Sequence, residues 1–241
     1  MQSTLAEFQE TKSTEAFALQ NSKLLKVHLD QVTIQTKLGA MVAYQGDVSF
    51  EHAGSGGMSR MLKKAVTGEG TQLMKMSGAG EVFLADTAQD IHLLKLENDA
   101  ITCNGANVLA FDSDIDWDIK KVEGGVSSMM AGGLFNMHLS GSGWLAIISD
   151  GPPVLLNTGE APTFADPQAA ITWSSSIQTS IKTDVKLKNF IGRASGESIQ
   201  MAFSGDGWVL VQPSEGTVTT AVSGGSAAGG GIGKMLGNLG G

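Results

Sequence analysis

Three segments of the chain repeat one pattern, in which an apolar alternation is followed by Ser-Gly-x-Gly and then by an apolar run. The Ser-Gly pairs begin at Ser77, Ser140 and Ser204, so the intervals are 63 (140 − 77) and 64 (204 − 140) residues. A repeat of this kind constrains the fold strongly, because each unit must adopt a similar structure and pack against its neighbours. The pattern therefore predicts one architecture built from three similar β units.

An aromatic strand-like element lies between these Ser-Gly boxes and recurs in the same order. It ends at Phe50, Trp117 and Trp173, with intervals of 67 (117 − 50) and 56 (173 − 117) residues. The shorter second interval predicts that the third copy has lost part of a loop. Residues 39–44 form a nearly continuous apolar run, which predicts a strand that is covered on both faces.

Composition favours strands over helices. The 241 residues include 32 glycines and 5 prolines, which suits tight turns and bulges, and 41% are hydrophobic, enough for a sizeable core. We predict an all-β protein, a single β-sandwich or barrel-like body of three pseudo-repeats of about 60 residues with short helical loops. The predicted divisions are a flexible lead-in at 1–16, the repeat β domain at 17–216 and a Gly-rich flexible tail at 217–241.

The charge and the single cysteine argue against several classes of protein. A net charge of −8 disfavours binding to a phosphate backbone, so no nucleic-acid partner is expected. Cys103 alone allows no internal disulfide, fits a reducing compartment and is predicted to be a small buried residue. The sequence shows neither a secretory signal nor an apolar run long enough to span a bilayer. We therefore expect a cytoplasmic protein, with a peripheral position at a membrane as an option.

Residues 111–119 are predicted to form one strand with apolar residues at odd positions and four aspartates on the opposite face. These are Asp112, Asp114, Asp116 and Asp118. Their spacing matches ligand positions of a calcium loop, but Trp117 occupies the place where such a loop needs a glycine. A solvated acidic face is favoured, and weak cation binding by the four carboxylates stays open.

The chemistry-bearing motifs are otherwise weak. A strand-like run follows each Ser-Gly box, whereas a phosphate loop needs a helix N-terminus there, so the glycines are predicted to form hairpins or bulges. The four histidines lack metal-ligand spacing, and no nucleophile elbow is present. We predict no catalytic, cofactor-binding or metal-binding residue, and hence a protein that is not an enzyme.

Met-rich segments are the best candidates for a contact surface, because methionine side chains adapt to different partners. Basic neighbours would also suit an anionic membrane. The predicted surface for self-association or a partner consists of Met58, Met61, Leu62, Lys63, Lys64, Met129, Met130, Ile232, Met235 and Leu236. The alternatives are that these segments cap the β core, form a homo-oligomer interface, or bind an external partner or membrane.

Five stretches resemble the altered-inheritance-of-mitochondria family, whose bacterial members were catalogued as a domain of unknown function. They are residues 39–48, 60–70, 78–85, 131–135 and 205–215. The resemblance implies a β-sandwich repeat fold similar to the tryptophan-attenuator-protein-like superfamily, and it carries over no catalytic residue. Eukaryotic relatives are associated with the mitochondrial inner membrane and its cristae-organising complex. The sequence lacks a transit peptide, so a bacterial cytoplasmic origin is expected.

Taken together, these features predict a non-enzymatic, self-assembling interaction or scaffold protein. It would form a homo-oligomer and dock on a membrane surface or a larger complex through the Met-rich loops and the tail. The alternative is a small-ligand-binding or hydrolytic β domain with a cleft between repeats.

Overall fold

The computed structural model describes residues 4–52, 73–121, 135–183 and 199–214. Helical structure in these ranges is limited to two short 3-10 turns, Leu5–Phe8 and Gly105–Asn107, so the all-β prediction is confirmed. The strands are β1 Phe17–Asn21, β2 Leu24–Lys37, β3 Met41–His52, β4 Leu73–Leu84, β5 Asp90–Asn104, β6 Val108–Asp112, β7 Asp116–Lys121, β8 Phe135–Ser149, β9 Val154–Asn157, β10 Thr163–Ala165, β11 Ala170–Ser174, β12 Gln178–Thr183, β13 Ile199–Ser204 and β14 Trp208–Val211.

The strands are arranged as three consecutive groups. The main sheet runs in the order β3-β4-β2-β6-β8-β5-β11-β14-β9, with β1 paired to β2 and β7 paired to β8. A second sheet has the order β10-β13-β12. The first three strands of the main path come from the first repeat, the next three from the second and the last three from the third. Within the described ranges the sheets are open and do not close into a barrel.

The Ser-Gly boxes are corners within the repeats and not hairpin turns. The first two lie inside the continuous strands β4 and β8, and the third separates β13 from β14. A bulge does occur opposite the first two boxes, but it lies in the partner strand. The pairing shifts between Asp30 and Thr33 in β2 and between Glu97 and Asp99 in β5. A β-bulge bends its strand, so it accommodates the change of direction at the box.

Gly78 illustrates why the box requires glycine. Its φ is +125°, and a Cβ at this position would lie 2.1 Å from the carbonyl oxygen of Asp47 on β3. Both the backbone conformation and the close approach of the neighbouring strand therefore exclude a side chain. The glycines serve geometry, as the sequence predicts.

The pairing corrects the alignment of the third repeat. Tyr44, Phe111 and Trp173 each pair with the residue five positions after the box serine, which is Val82, Leu145 or Val209. Trp173 is thus equivalent to Phe111 and not to Trp117, and the intervals become 67 (111 − 44) and 62 (173 − 111) residues. Alternation alone could not decide this register, because several aromatic residues fit the same pattern.

The predicted single strand at 111–119 is also wrong. β6 ends at Asp112, the backbone N–H of Ile115 donates to the Asp112 carbonyl at 3.1 Å, and β7 begins at Asp116. The two strands pair with different halves of β8, on either side of its box. The chain must therefore turn between β6 and β7, beside the box of β8. The alternation of apolar and polar residues does not indicate this turn.

The described residues form three apolar clusters in the interior, one centred on each repeat. Each of the first two also includes residues of the following repeat: Leu109 and Ala146 in the first cluster, and Ile171 in the second. The joints between repeats are therefore packed as part of the core.

Candidate functional site

The strand at one end of the main sheet exposes a row of apolar side chains. Within the described strands β3 pairs with β4 alone, and Val42, Tyr44 and Phe50 are all substantially exposed. Tyr44 is 48% exposed, whereas its equivalents Phe111 and Trp173 are 0% and 2% exposed. The prediction that residues 39–44 form a strand covered on both faces is therefore wrong for most of the run. The sequence could not reveal this, because the same apolar run can form a buried strand or an edge strand.

These side chains continue the core face beyond the last strand. Tyr44 and Phe50 lie opposite Val82 and Met76, both of which are fully buried. The two aromatic rings also contact each other edge to face, with centroids 5.1 Å apart. A sheet edge that combines unpaired backbone with an apolar face is well suited to receive another strand.

A further exposed aromatic side chain lies on the small sheet of the third repeat. Phe164 on the edge strand β10 is 43% exposed, and the Lys182 ammonium lies 4.5 Å from the centre of its ring. Both residues line an open groove of about 380 Å³. The groove is lined by Thr158, Gly159, Glu160, Ala161, Pro162, Phe164, Lys182, Ala202, Phe203, Ser204 and Gly205.

The lining of this groove offers groups that could contact a ligand. Lys182 offers a cation and Phe164 an aromatic face, while the Thr158 hydroxyl is already occupied by donation to the Gly205 carbonyl at 2.7 Å. Its lining also contains the Glu160 carboxylate and the Ser204 hydroxyl, but neither a histidine nor a cysteine. The groove belongs to the third repeat, so it does not match the expected cleft between repeats.

A buried lysine anchors the lead-in against the first repeat. Lys26 is 4% exposed, and its Nζ lies 2.7 Å from Glu10 Oε1 and 3.5 Å from Glu81 Oε1. It also donates to the carbonyl oxygen of Thr11 at 3.1 Å. The hydrogen bond to Glu10, supported by both carboxylates, raises the pKa of Lys26. We interpret these contacts as a structural link between the lead-in and β2. The predicted flexibility of residues 1–16 stays a prediction.

The four aspartates do not converge on one point. Asp114, Asp116 and Asp118 are exposed, while Asp112 is half-buried and accepts a hydrogen bond from the backbone N–H of Trp144 at 2.5 Å. Burial raises the pKa of Asp112 despite this bond, and the nearby charge of Asp114 adds to the rise. Within the described ranges no group of three or more His, Cys, Asp or Glu side chains could hold a metal ion.

Asp112 instead has a structural role as an acceptor for a backbone N–H, and Ser174 has the same role in the third repeat. The Ser174 hydroxyl oxygen accepts from the Trp208 backbone N–H at 3.1 Å, at the equivalent place beside the box. In both repeats a polar side chain thus accepts a hydrogen bond from a backbone N–H beside the box. The N–H needs this partner because the ladder of backbone hydrogen bonds between strands is interrupted there.

Cys103 is a small buried residue, as the sequence predicts. The Cys103 thiol is fully buried and donates to Thr172 Oγ1 at 3.1 Å. Burial raises its pKa to about 12, so it stays protonated at neutral pH. Burial lowers the pKa of both His92 and His138, and His92 Nε2 lies 2.8 Å from the Ser149 hydroxyl.

The Met-rich surface predicted from the sequence lies outside the described residues. This applies to Met58, Met61, Leu62, Lys63, Lys64, Met129, Met130, Ile232, Met235 and Leu236. Its role stays a prediction. Among the described residues, no helix has the length and apolar character needed to cross a membrane.

Comparison with known proteins supports the resemblance. A crystal structure of a Streptococcus pyogenes protein is similar to this one, with a TM-score of 0.65 and 21% sequence identity over 81% of this chain and 91% of that chain. At this identity the likeness shows the fold alone. No curated protein matches the chain significantly. The family model described as mitochondrial biogenesis AIM24 matches residues 17–214, and the chain therefore belongs to that family.

Proposed function

We propose that the chain is a non-enzymatic, self-assembling scaffold protein. The observation that supports this most strongly is the exposure of Tyr44, because the same position is buried in the two following repeats. Proteins usually protect a sheet edge with charges, proline or a covering segment. An edge that keeps exposed apolar residues is more typical of an interface than of a solvated surface.

Self-assembly is tested directly by the molar mass of the purified full chain. We expect size-exclusion chromatography with light scattering to give a multiple of 25.0 kDa that rises with protein concentration. Because the contact is largely apolar, the mass should change little between low and high salt. A monomer at every concentration up to the millimolar range contradicts the proposal.

Docking on a larger complex or an anionic membrane forms the second part of the proposal, together with a cytoplasmic location that is peripheral at a membrane. Support comes from the sequence, where Met58, Met61 and Leu62 stand beside Lys63 and Lys64. Deletion of residues 224–241 should reduce sedimentation with anionic vesicles while leaving the melting temperature nearly unchanged. Vesicles of neutral lipid provide the control. Equal sedimentation of the full and shortened chains contradicts a role for the tail.

A small-ligand-binding function is the second candidate, and the groove beside Phe164 and Lys182 favours it. A thermal-shift screen against small carboxylic acids, nucleotides and metal ions tests it, because a ligand that binds the folded state raises the melting temperature. A true ligand should lose its effect in Lys182→Ala and keep it in Lys23→Ala, which removes a lysine of the first repeat that does not line the groove. If no compound stabilises the wild-type chain, this candidate is rejected.

A further inference from the structure

Neighbouring repeats are joined by the same short ladder at both internal boundaries. β2 of the first repeat pairs antiparallel with β6 of the second, and β5 of the second pairs antiparallel with β11 of the third. Each ladder has three pairs. They are Ile34↔Asp112, Gln35↔Phe111 and Thr36↔Ala110 at the first joint, and Ile101↔Ser174, Thr102↔Trp173 and Cys103↔Thr172 at the second.

The two joints have the same register relative to the boxes. Gln35 pairs with Lys75 and Thr102 with His138, and both partners precede the box serine by two residues (77 − 75 and 140 − 138). The corresponding residue of the third repeat is Ala202 (204 − 2), which pairs with Phe164. Phe164 on β10 is therefore equivalent to Gln35 and Thr102, the residues that pair with the next repeat.

The two ends of the chain are complementary. β10 pairs with β13. Among the described strands it has no partner from a following repeat, whereas β2 and β5 each have one. At the opposite end, no described strand of a preceding repeat pairs with β3 as β2 and β5 pair with the strands of Phe111 and Trp173, and Tyr44 is exposed there. Each end therefore presents one half of a joint that the chain already builds twice.

We propose that a second copy of this chain completes the joint, with β10 of one copy pairing antiparallel with β3 of the next. By analogy with the internal joints the pairs are Thr163↔Gln45, Phe164↔Tyr44 and Ala165↔Ala43. This inference rests on the proposed self-assembly and specifies its partner and geometry. The contact joins two different surfaces, so copies associate head to tail and not about a two-fold axis.

The side chains at the two ends suit this contact. Tyr44 and Phe164 are 48% and 43% exposed, and the register places them directly opposite each other. Aromatic pairs across antiparallel strands stabilise a sheet. In the second and third repeats the residue equivalent to Tyr44 is covered when its joint forms, so the same burial is expected in the assembly.

Two single substitutions test the joint, because each blocks one end and leaves the other intact. Tyr44→Arg blocks β3 and Phe164→Arg blocks β10, and light scattering should find each variant monomeric. An equimolar mixture should form a one-to-one dimer and nothing larger, through the intact β10 of the Tyr44→Arg copy and the intact β3 of the Phe164→Arg copy. Leu155→Arg is the matched control, because this exposed apolar residue lies on β9, outside the proposed joint. It should assemble like the wild type.

Cross-linking tests the register without disturbing the fold. Copies that carry Ala43→Cys and copies that carry Ala165→Cys should form a disulfide-linked dimer under mild oxidation, whereas Ala43→Cys with Leu155→Cys should not. The natural Cys103 does not interfere, because it is fully buried.

The outcomes separate this joint from self-assembly in general. A wild-type monomer at all concentrations rejects both. Assembly that survives Tyr44→Arg and Phe164→Arg rejects the joint while self-assembly stands. Loss of assembly in Tyr44→Arg alone, with Phe164→Arg unaffected and no selective cross-link, indicates a β3–β3 contact and also rejects the joint.

Discussion

The first glycine of each Ser-Gly box provides an internal series for measuring what a close strand crossing costs. Gly78, Gly141 and Gly205 occupy the same place in the three repeats and have similar φ values of +125°, +126° and +112°. A Cβ would lie 2.1 Å from a backbone oxygen at Gly78, 3.2 Å at Gly141 and 3.7 Å at Gly205. Alanine substitution therefore changes the clash while the backbone strain stays nearly constant.

The expected loss of stability follows from these distances. Strain at positive φ costs roughly 1–2 kcal/mol for a residue with a Cβ, and this contribution is common to all three variants. Gly205→Ala should lose about that amount, because 3.7 Å is an ordinary contact. At Gly78 the backbone of β3 must also move, which adds about 1–3 kcal/mol, so the total is roughly 2–5 kcal/mol. Gly141→Ala should fall between them.

Urea unfolding followed by circular dichroism measures the series. The effect of alanine on the unfolded chain is the same in each variant, so it cancels in the differences. Equal losses at the three positions, or the largest loss at Gly205, would refute the argument that strand proximity selects glycine here.

Three further predictions concern buried polar groups. The pKa of Asp112 is raised, so the folded chain keeps this proton where the unfolded chain has released it, and stability falls as the pH rises from about 4. Asp112→Asn keeps an acceptor for the Trp144 N–H, so the urea midpoint of this variant should exceed that of the wild type by an amount that grows with pH. A difference that stays constant with pH would contradict this prediction. Lys26→Met should cost about 1–3 kcal/mol, because it removes a buried cation that contacts the Glu10 and Glu81 carboxylates and donates to the Thr11 carbonyl. Lys23→Met removes a more exposed ion pair and should cost less than about 1 kcal/mol. Similar losses would show that Lys26 is not the anchor. The Cys103 thiol should react with a soluble thiol reagent only after the chain is unfolded, since its pKa in the folded chain is about 12. Rapid reaction of the folded chain would show that the strands around Cys103 open.

The sequence predicts the repeat, the all-β class and the structural role of the glycines because these depend on local patterns. Alternation indicates a strand, and the recurrence of Ser-Gly-x-Gly indicates that the same corner is built three times. The resemblance to the family rests on the same residues. Pattern reasoning failed where two registers fit equally well, as for Trp173, and where a turn was imposed by distant pairing, as between Asp112 and Asp116.

Exposure at the candidate site was decided by tertiary structure. Tyr44, Phe111 and Trp173 occupy equivalent positions in equivalent strands, and their own sequences do not distinguish a covered side chain from an exposed one. What differs is the neighbour: β2 and β5 cover the second and third copies, whereas β3 is the first strand of the array and has no preceding repeat among the described strands. Local sequence determines which residues form a strand and which face is apolar, but burial requires a second strand, and its presence depends on the position of the repeat within the whole array.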